Sequence, residues 1–562
     1  MSSSFAPRPL VLLLVCAALI LRVVLALRPG IWGDEIFSLA MATGHSLEHP
    51  AAEARSALGD FVQPPGVEPS STFRRYVEHQ HPPAGPDRVI RAVRLSDTSP
   101  PLYYLLLNGW TRVLGTGDAA LRFFSLLWAV LTLPLLWLLG RDVGGRAVGG
   151  VAVVLYAWSP PSVFYSVEGR MYSLVWLLAT ALAWQTLQLS RRGVRSSAAA
   201  AWLGIAAAGL YTHYFFLFVW LAFGAWLLAW PGRMSRPAAA ALVAGSALAA
   251  APWYLQVPES LSRWRVTGAW LSDPLGWPEI ATRPFELAWS LLAGGSLWGG
   301  SPAVDALLAL AYLLLALWIM RQGGLRELFS PDRLLVWAWV AAAVLGPYVF
   351  DLVRHTGASR IPRYVLSGLP AAMLLASLAI QQLRPRLRAL FVGLVIAAWT
   401  AGLWPIVRQP SRPGAVYPAL ASELDRWAEP GDVVVVHSIP SGVIGLSRYL
   451  GRDLPLAASI EPLGLRQPDD LAALLAGRRR VALVQVHNIG QPSSAEPWLR
   501  THRRLAGRRV YDGTRDALSP DLASLSPAMQ AALAQHRLVE IFYFEPIEFE
   551  PIEGPSVVPA RR

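Results

Sequence analysis

The chain contains no lysine and only one cysteine, Cys16, among its 562 residues. A single cysteine cannot form an intramolecular disulfide, so a disulfide-stapled fold is excluded. Because lysine is absent, arginine carries all the basic side-chain charge behind the formal net charge of +12. Many of these arginines lie in short clusters between apolar segments, where the positive-inside rule places them in membrane proteins. We therefore interpret the basic charge as a sign of membrane topology and predict no nucleic-acid partner.

Charged residues are scarce, at 15% of the chain, whereas 54% of the residues are hydrophobic. This composition is typical of a polytopic membrane protein and unlike that of a soluble globular domain. A helix needs roughly 20 apolar residues to span a bilayer. Arg22 and the lack of a small-residue cleavage pattern favour a retained first span over a signal peptide. The sequence predicts eleven spans in a mainly α membrane bundle: 9–28, 119–140, 147–160, 171–190, 198–212, 214–230, 238–255, 302–320, 334–352, 364–382 and 390–406.

The arginine clusters fall in alternate loops between these spans, so one face of the bundle is predicted to be cytoplasmic. The N-terminus then lies inside, and the loops 29–118 and 256–300 lie outside with the tail from 407. The apolar segment 102–114 is too short to cross, and we predict a juxtamembrane helix along the outer surface. The clusters are Arg141 and Arg146; Arg191, Arg192 and Arg195; Arg233 and Arg236; Arg321, Arg326 and Arg333; Arg384, Arg386 and Arg388.

The tail has a different character and predicts a second domain over 407–562, after a membrane domain over 1–406. Valine-rich or aromatic runs at 432–437, 480–486 and 538–544 predict buried strands. Helical patterns at 417–427 and 470–475 alternate with them. This alternation predicts a small extracytoplasmic α/β domain with a largely parallel sheet.

Polar side chains cluster at positions that the predicted topology brings to the outer face. Carboxylates can deprotonate a hydroxyl or hold a divalent cation, and arginines can bind a phosphate through two hydrogen bonds. Together, beside lipid, they would suit a phosphorylated lipid substrate and an alcohol acceptor. The candidates are Asp34 and Glu35 after the first span; Asp97 and Tyr103 at the end of the first loop; Glu168, Arg170 and Tyr172 in a short turn; His213 at a helix end; and Arg360, Arg363 and Tyr364 before the tenth span.

Each candidate also has a purely structural interpretation. Glu168 and Arg170 could form an interfacial ion pair, and Arg360 and Arg363 could extend to lipid headgroups without a ligand. Asp97 is equally compatible with capping the helix that follows. A lone histidine such as His213 at a helix end is more often a satisfied interfacial residue than a ligand or base. The sequence alone leaves these alternatives open.

Six segments, in this order and spacing, resemble the GT-C superfamily of polyprenyl-phosphate-sugar-dependent glycosyltransferases. The resemblance is narrower to the bacterial branch related to protein O-mannosyltransferases, which includes glycosyltransferase family 39 and the RgtA/B/C/D-like group. It covers residues 10–405. The segments are GDEIFSLAMA at 33–42, SPPLYYLLLNGW at 99–110, ALRFFSLLWAVLTLPLLWLLGR at 120–141, YSVEGRMYSLVWLLA at 165–179, LYTHYFFLF at 210–218 and RYVLSGLPAAMLLAS at 363–377.

The resemblance implies an outward-facing active site formed by the first loop. It implies that Asp34 acts as base or metal ligand with Glu35 as its partner, and that Glu168 is the second acidic position, with magnesium or manganese held at Asp34 and Glu168. Arg363 matches a position that faces the lipid phosphate. Two departures matter: Ser99 stands where relatives carry histidine, and no lysine exists to bind phosphate.

The function predicted from these features is an integral membrane glycosyltransferase of the cell envelope. It would transfer a monosaccharide, with inversion, from a polyprenyl-phosphate donor to a hydroxyl of a glycan, lipid or protein. A polytopic transporter or a scaffold of glycan assembly is the alternative. A transporter would usually show inverted repeats and broken helices near the membrane midplane. No convincing repeat is present, and the charges cluster at one face.

Overall fold

The structure is a computed structural model of the chain. It describes residues 8–49, 54–96, 99–256, 274–293, 302–322, 328–408, 415–460, 469–486, 493–512, 517–519 and 538–547. The chain forms two compact units. The first contains Met1–Val62 and Arg75–Ala415, and the second contains Gln63–Arg74 and Val416–Arg562. A twelve-residue segment of the first long loop therefore belongs to the same unit as the tail.

The first unit is helical, and a helix lies at each of the eleven positions where the sequence predicts a span. The predicted juxtamembrane segment is also a helix, Leu102–Leu114. The helices are α1 Arg8–Ala26, α2 Gly33–Ala42, α3 Pro86–Ser96, α4 Leu102–Leu114, α5 Asp118–Gly144, α6 Arg146–Trp158, α7 Pro160–Ser166, α8 Tyr172–Arg192, α9 Ser196–Leu210, α10 Phe216–Ala229, α11 Arg236–Tyr254, α12 Trp277–Ser290, α13 Pro302–Arg321, α14 Pro331–Arg354, α15 Leu369–Gln381 and α16 Pro385–Arg408.

Among the residues that the structure describes, six helical stretches are long and apolar enough to cross a membrane, and a seventh qualifies if the bent pair α6–α7 is one span. The chain is therefore a multi-pass membrane protein. The predicted number of eleven is not confirmed, because several of the helices, such as α9 and α10, are short. The six stretches are Pro9–Ala26, Asp118–Gly144, Pro302–Arg321, Pro331–Arg354, Pro362–Gln381 and Pro385–Trp404.

The bend between α6 and α7 has a clear cause in the sequence. Two consecutive prolines, Pro160 and Pro161, lack the N–H groups that would continue the helix. Ser159 accepts a hydrogen bond from the backbone N–H of Ser162 (3.4 Å), so a new helix starts after the break. The two helices meet at 62°. α7 then leads directly into the turn that carries Glu168 and Arg170.

The second unit is built around a seven-stranded sheet with the order β1-β3-β2-β4-β7-β5-β6. Strands lie at all three positions predicted in the tail. In the described part of this unit, β2 pairs parallel with β3 and β4, whereas the other four strand pairs are antiparallel, so the prediction of a largely parallel sheet is wrong. The strands are β1 Glu68–Pro69, β2 Val433–His437, β3 Pro455–Ser459, β4 Val481–Val486, β5 Arg504–Asp512, β6 Ala517–Ser519 and β7 Leu538–Glu545.

Helices α17 Tyr417–Trp427, α18 Pro440–Tyr449, α19 Asp469–Leu474 and α20 Ala495–His502 alternate with these strands. One core joins the sheet to α19 and α20 through buried residues such as Val435, Leu483, Leu499 and Phe542. The sequence overpredicts parallel pairing because β7 runs beside β4 in the opposite direction. No local sequence pattern sets that direction. The domain boundary near 406 stays a prediction.

Candidate active site

Asp34 and Glu35 lie in the first turn of α2, and their side chains point in different directions. Consecutive residues of an α-helix point about 100° apart around the axis. The side chain of Glu35 is fully buried, whereas that of Asp34 keeps 27% of its surface exposed. The two members of the acidic pair therefore meet different surroundings.

Glu35 holds backbone in place. Its Oε1 accepts from the backbone N–H of Gly169 (2.8 Å), and its Oε2 accepts from that of Trp32 (3.3 Å). Arg122 Nε lies 3.6 Å from Oε1, and both groups are fully buried. Arg122 also donates to the carbonyls of Arg28 and Gly30. These contacts connect the start of α2 to the turn after α7.

Asp34 instead faces two arginines from distant parts of the chain. Its Oδ2 lies 3.2 Å from Arg363 Nη2 and 3.9 Å from Arg170 Nε. Arg170 Nη1 also donates to Tyr104 OH (3.3 Å) and Ser38 Oγ (3.4 Å). These distances are longer than the 2.7–2.9 Å that is usual for charge-assisted hydrogen bonds. Asp34 and its arginines are thus close together without being tightly bonded.

Trp32 completes this cluster, and sequence reasoning missed it. Its Nε1–H donates to Glu168 Oε1 (3.2 Å), and Glu168 is buried. The guanidinium of Arg363 lies 5.4 Å from the centre of the Trp32 ring, within the range of a cation–π interaction. The only sequence signal was an aromatic residue two positions before the acidic pair. We call Trp32, Asp34, Glu168, Arg170 and Arg363 the carboxylate–arginine cluster.

Aromatic side chains lie beside the cluster. The Tyr172 and His213 rings are 6.0 Å apart, and the same distance separates His213 from Tyr364. The guanidinium of Arg363 is 5.9 Å from the Tyr364 ring. Tyr103 is fully buried, 3.4 Å from Ser125 Oγ through its hydroxyl, and contacts the ring of Tyr104 edge-on. Tyr364 thus contacts the cluster at Arg363, His213 and Tyr172 follow it in a row of rings, and Tyr103 reaches Arg170 through Tyr104.

Arg360 lies in a different set of contacts. Its Nε and Nη2 donate to the two carboxylate oxygens of Glu279 on α12, at 2.8 and 2.7 Å. Hydrogen bonds from Arg360, and then from the backbone N–H of Gly276, lower the pKa of Glu279 to about 2. Sequence reasoning missed Glu279 because nothing in a single sequence pairs it with a residue 81 positions away. Asp97 lies outside the described residues.

A buried carboxylate shapes the turn that carries these arginines. Asp351, near the end of α14, accepts from Thr356 Oγ1 (2.6 Å) and from the backbone N–H groups of Ala358 (2.8 Å) and Ser359 (2.7 Å). The chain then enters the 3₁₀ segment Pro362–Gly368, which carries Arg363. Asp351 therefore fixes the chain direction just before Arg363.

The cluster is a poor match for a resident divalent cation. In the part of the chain that the structure describes, no three His, Cys, Asp or Glu side chains converge as metal ligands. The oxygen of Asp34 that would bind a metal instead faces two guanidinium groups. A magnesium or manganese ion at Asp34 and Glu168 stays a prediction.

Comparison with known proteins gives a result for the fold alone. No protein-family model matches the chain, and no curated protein matches its sequence. Solved structures do. ArnT from Cupriavidus metallidurans matches in the apo state with a TM-score of 0.51 and 13% identity, over 95% of this chain and 98% of that one. The same protein bound to undecaprenyl phosphate matches with a TM-score of 0.53 and 12% identity, over 96% and 98%.

The fold is an ArnT-like GT-C fold. The similarity extends over nearly the full length of both chains, so it includes the helical bundle and the tail. The archaeal oligosaccharyltransferase AglB from Archaeoglobus fulgidus, in complex with an inhibitory peptide and a dolichol-phosphate, gives a lower TM-score of 0.46 at 10% identity, over 92% of this chain and 75% of that one. The narrower resemblance to glycosyltransferase family 39 is not confirmed.

Proposed function

We propose that this protein is a membrane glycosyltransferase that uses a polyprenyl-phosphate-linked monosaccharide as donor. The observation that carries the proposal is the carboxylate–arginine cluster, in which Arg363 and Arg170 both face Asp34. The two guanidinium groups can bind a phosphate in exchange for the carboxylate, because their contacts with Asp34 are long. The ArnT-like fold supports this assignment, since one ArnT structure holds undecaprenyl phosphate.

The proposed reaction is a single displacement at the anomeric carbon. An acceptor hydroxyl of a glycan, lipid or protein attacks that carbon and transfers its proton to the carboxylate of Asp34. The bond from the anomeric carbon to the phosphate oxygen breaks, and the polyprenyl phosphate leaves with its negative charge held by Arg363 and Arg170. One in-line displacement inverts the anomeric centre. Positioning and charge stabilisation are the main tasks, because the leaving group is already good.

The remaining polar residues have supporting roles in this proposal. Trp32 holds Glu168, and Glu35 holds the turn at Gly169, so the geometry favours a positioning role for Glu35 over a chemical one. Arg360 is engaged with Glu279 and is not assigned to the substrate. The cluster would lie at the extracytoplasmic side, with the N-terminus inside and the tail outside, as the arginine-rich loops indicate.

The test uses the full chain purified in lipid nanodiscs with a panel of polyprenyl-phosphate sugars and cell-envelope acceptors. We expect the protein to consume one of these donors and the variant Asp34→Asn to lose transfer while it still folds and inserts. The matched control is Asp305→Asn, a buried carboxylate in α13 that no step uses. Full activity of Asp34→Asn would remove Asp34 from the mechanism, and no consumption of any donor would contradict the proposed function.

A further inference from the structure

A buried arginine lies in the first membrane-spanning helix, away from the carboxylate–arginine cluster. Arg22 is in α1, only 2% exposed, within the stretch Pro9–Ala26 that is long and apolar enough to cross the membrane. A guanidinium at such a place is costly and marks a functional residue by default. The mechanism proposed above does not use it.

All four hydrogen bonds of Arg22 reach neutral oxygens, and three of these oxygens lie around the break between α6 and α7. Its Nη1 donates to the carbonyl of Ala157 (2.6 Å) and to that of Ala18 in its own helix (3.0 Å). Its Nη2 donates to Ser162 Oγ, and its Nε donates to Ser166 Oγ, each at 3.0 Å. One planar group therefore joins α1 to the end of α6 and to both turns of α7.

The prolines explain why a donor is needed at this point. In an unbroken helix the carbonyl of Ala157 would accept from the N–H of residue 161, four positions later. Residue 161 is Pro161, which has no N–H. Inside a membrane no water replaces the lost bond, and an unsatisfied carbonyl costs several kcal/mol. Arg22 Nη1 supplies the missing donor at 2.6 Å.

The same contacts connect Arg22 to the proposed active site. Ser166 is the last residue of α7, two positions before Glu168 and four before Arg170. The carbonyl of Tyr165, in the same turn of α7, accepts from Ser173 Oγ (3.2 Å), which fixes the other side of the turn. A shift of α7 would therefore move Glu168 and Arg170 together.

We infer that Arg22 is a positioning residue, which fixes the α6–α7 break from α1 and so holds Glu168 and Arg170 in the geometry for reaction. The inference rests on the proposed function for its catalytic consequence, but its structural part does not. An ammonium cannot replace the planar fork, because it has one donor centre in place of three separate nitrogens. Methionine fills the space and supplies no donor.

The structural part is tested by thiol labelling in full-length protein. Cys16→Ser removes the only native thiol, and Val167→Cys places a reporter that is 5% exposed in the turn after α7. We expect N-ethylmaleimide to label the reporter about tenfold faster when Arg22→Met is added, because the segment opens locally. The matched control is Arg192→Met, which removes an exposed arginine at the end of α8 and should leave the labelling rate unchanged.

The catalytic part is tested by transfer kinetics per folded molecule. A misplacement of about 1 Å can reduce the rate about 100-fold. We expect Arg22→Met to reduce kcat at least about tenfold and by more than it raises KM for the donor, and Arg22→Lys to be intermediate. If Arg22→Met fails to fold, the double variant Ser162→Ala and Ser166→Ala removes the two hydroxyl acceptors and is measured instead.

The outcomes separate the two proposals. Faster labelling with reduced kcat supports the inference. Labelling at the wild-type rate, or faster labelling with an unchanged kcat, overturns it. If the wild type consumes none of the donors, the proposed function fails, and the labelling rates alone decide whether Arg22 holds the turn.

Discussion

Two arginines three positions apart, Arg363 and Arg360, meet carboxylates in opposite ways. Arg360 forms a bidentate pair with Glu279 at 2.7 and 2.8 Å, and Glu279 also accepts from Arg283 at 2.9 Å. Arg363 has one contact of 3.2 Å with Asp34 and lies over the Trp32 ring. The carboxylate of Glu279 is saturated by its neighbours, whereas Arg363 can exchange the carboxylate of Asp34 for another anion.

This difference separates a structural ion pair from a binding site better than charge or burial does. In a bidentate guanidinium–carboxylate pair, two parallel charge-assisted hydrogen bonds hold the partners together, so the pair stays closed. A long contact leaves hydrogen-bonding capacity for a ligand. Asp34 and Glu35 differ in the same way, since Glu35 accepts two backbone N–H bonds besides its contact with Arg122. Variants of these side chains can therefore test whether contact geometry distinguishes the two kinds of pair.

The largest expected difference is between Arg363→Met and Arg360→Met. Loss of one preorganised hydrogen-bond donor at a transition state typically costs about 10²–10³ in rate. We expect a fall of about 100-fold or more in kcat/KM for the donor in Arg363→Met, and a fall below about threefold in Arg360→Met. Transfer assays with the two purified variants measure both. Equal losses would contradict the distinction between the two pairs.

The acidic pair provides the next test, through stability. Removing one partner of a buried ion pair costs about 3–5 kcal/mol, because the other charge stays buried without compensation. We expect Glu35→Gln to lower the free energy of unfolding by about 3 kcal/mol. Asp34→Asn should change it by less than about 1 kcal/mol, since Asp34 is partly exposed. Thermal unfolding in detergent measures both, and similar losses would show that the two carboxylates have one role.

The sequence predicts those residues of the site whose positions follow from the order of the helix ends, and it misses those whose roles depend on tertiary contacts. Asp34, Arg170 and Arg363 could be placed on one face because span topology and arginine-rich loops order the helix ends. Trp32, Arg122 and Glu279 were missed because their roles depend on tertiary contacts between segments far apart in the chain. Arg22 was interpreted only as evidence against signal cleavage, although its partners in α7 give it a position in the fold.

In the C-terminal unit, too, tertiary contacts between distant segments could not be predicted from the sequence. The strands 432–437, 480–486 and 538–544 were predictable, because each is a buried apolar run bounded by polar or turn residues. The pairing of Glu68 and Pro69 with β3 was not predictable, since a two-residue strand from a distant loop has no periodicity. Ser70 and Ser71 bind the carboxylate of Asp453 beside it, at 2.8 to 2.9 Å. The local sequence pattern predicts the strands and helices, whereas contacts between residues hundreds of positions apart decide how these strands and helices pack together.

The smallest expected effect is that of Glu279→Gln, which breaks the saturated pair without touching the cluster. Partly exposed ion pairs contribute about 0.2–1 kcal/mol, so we expect a loss of about 0.5 kcal/mol in unfolding free energy and near-normal transfer. The arginine contacts hold the pKa of Glu279 at about 2, below the usual value for glutamate. Its stabilising contribution is therefore complete above about pH 4.5 and is lost as the pH falls towards 2. Unfolding measured at pH 7 and pH 3 should show a smaller difference between variant and wild type at the lower pH. A large loss of transfer in Glu279→Gln would mean that the Arg360–Glu279 pair also serves the site. In that case Glu279 would be needed to keep the guanidinium of Arg360 away from the phosphate that Arg363 binds.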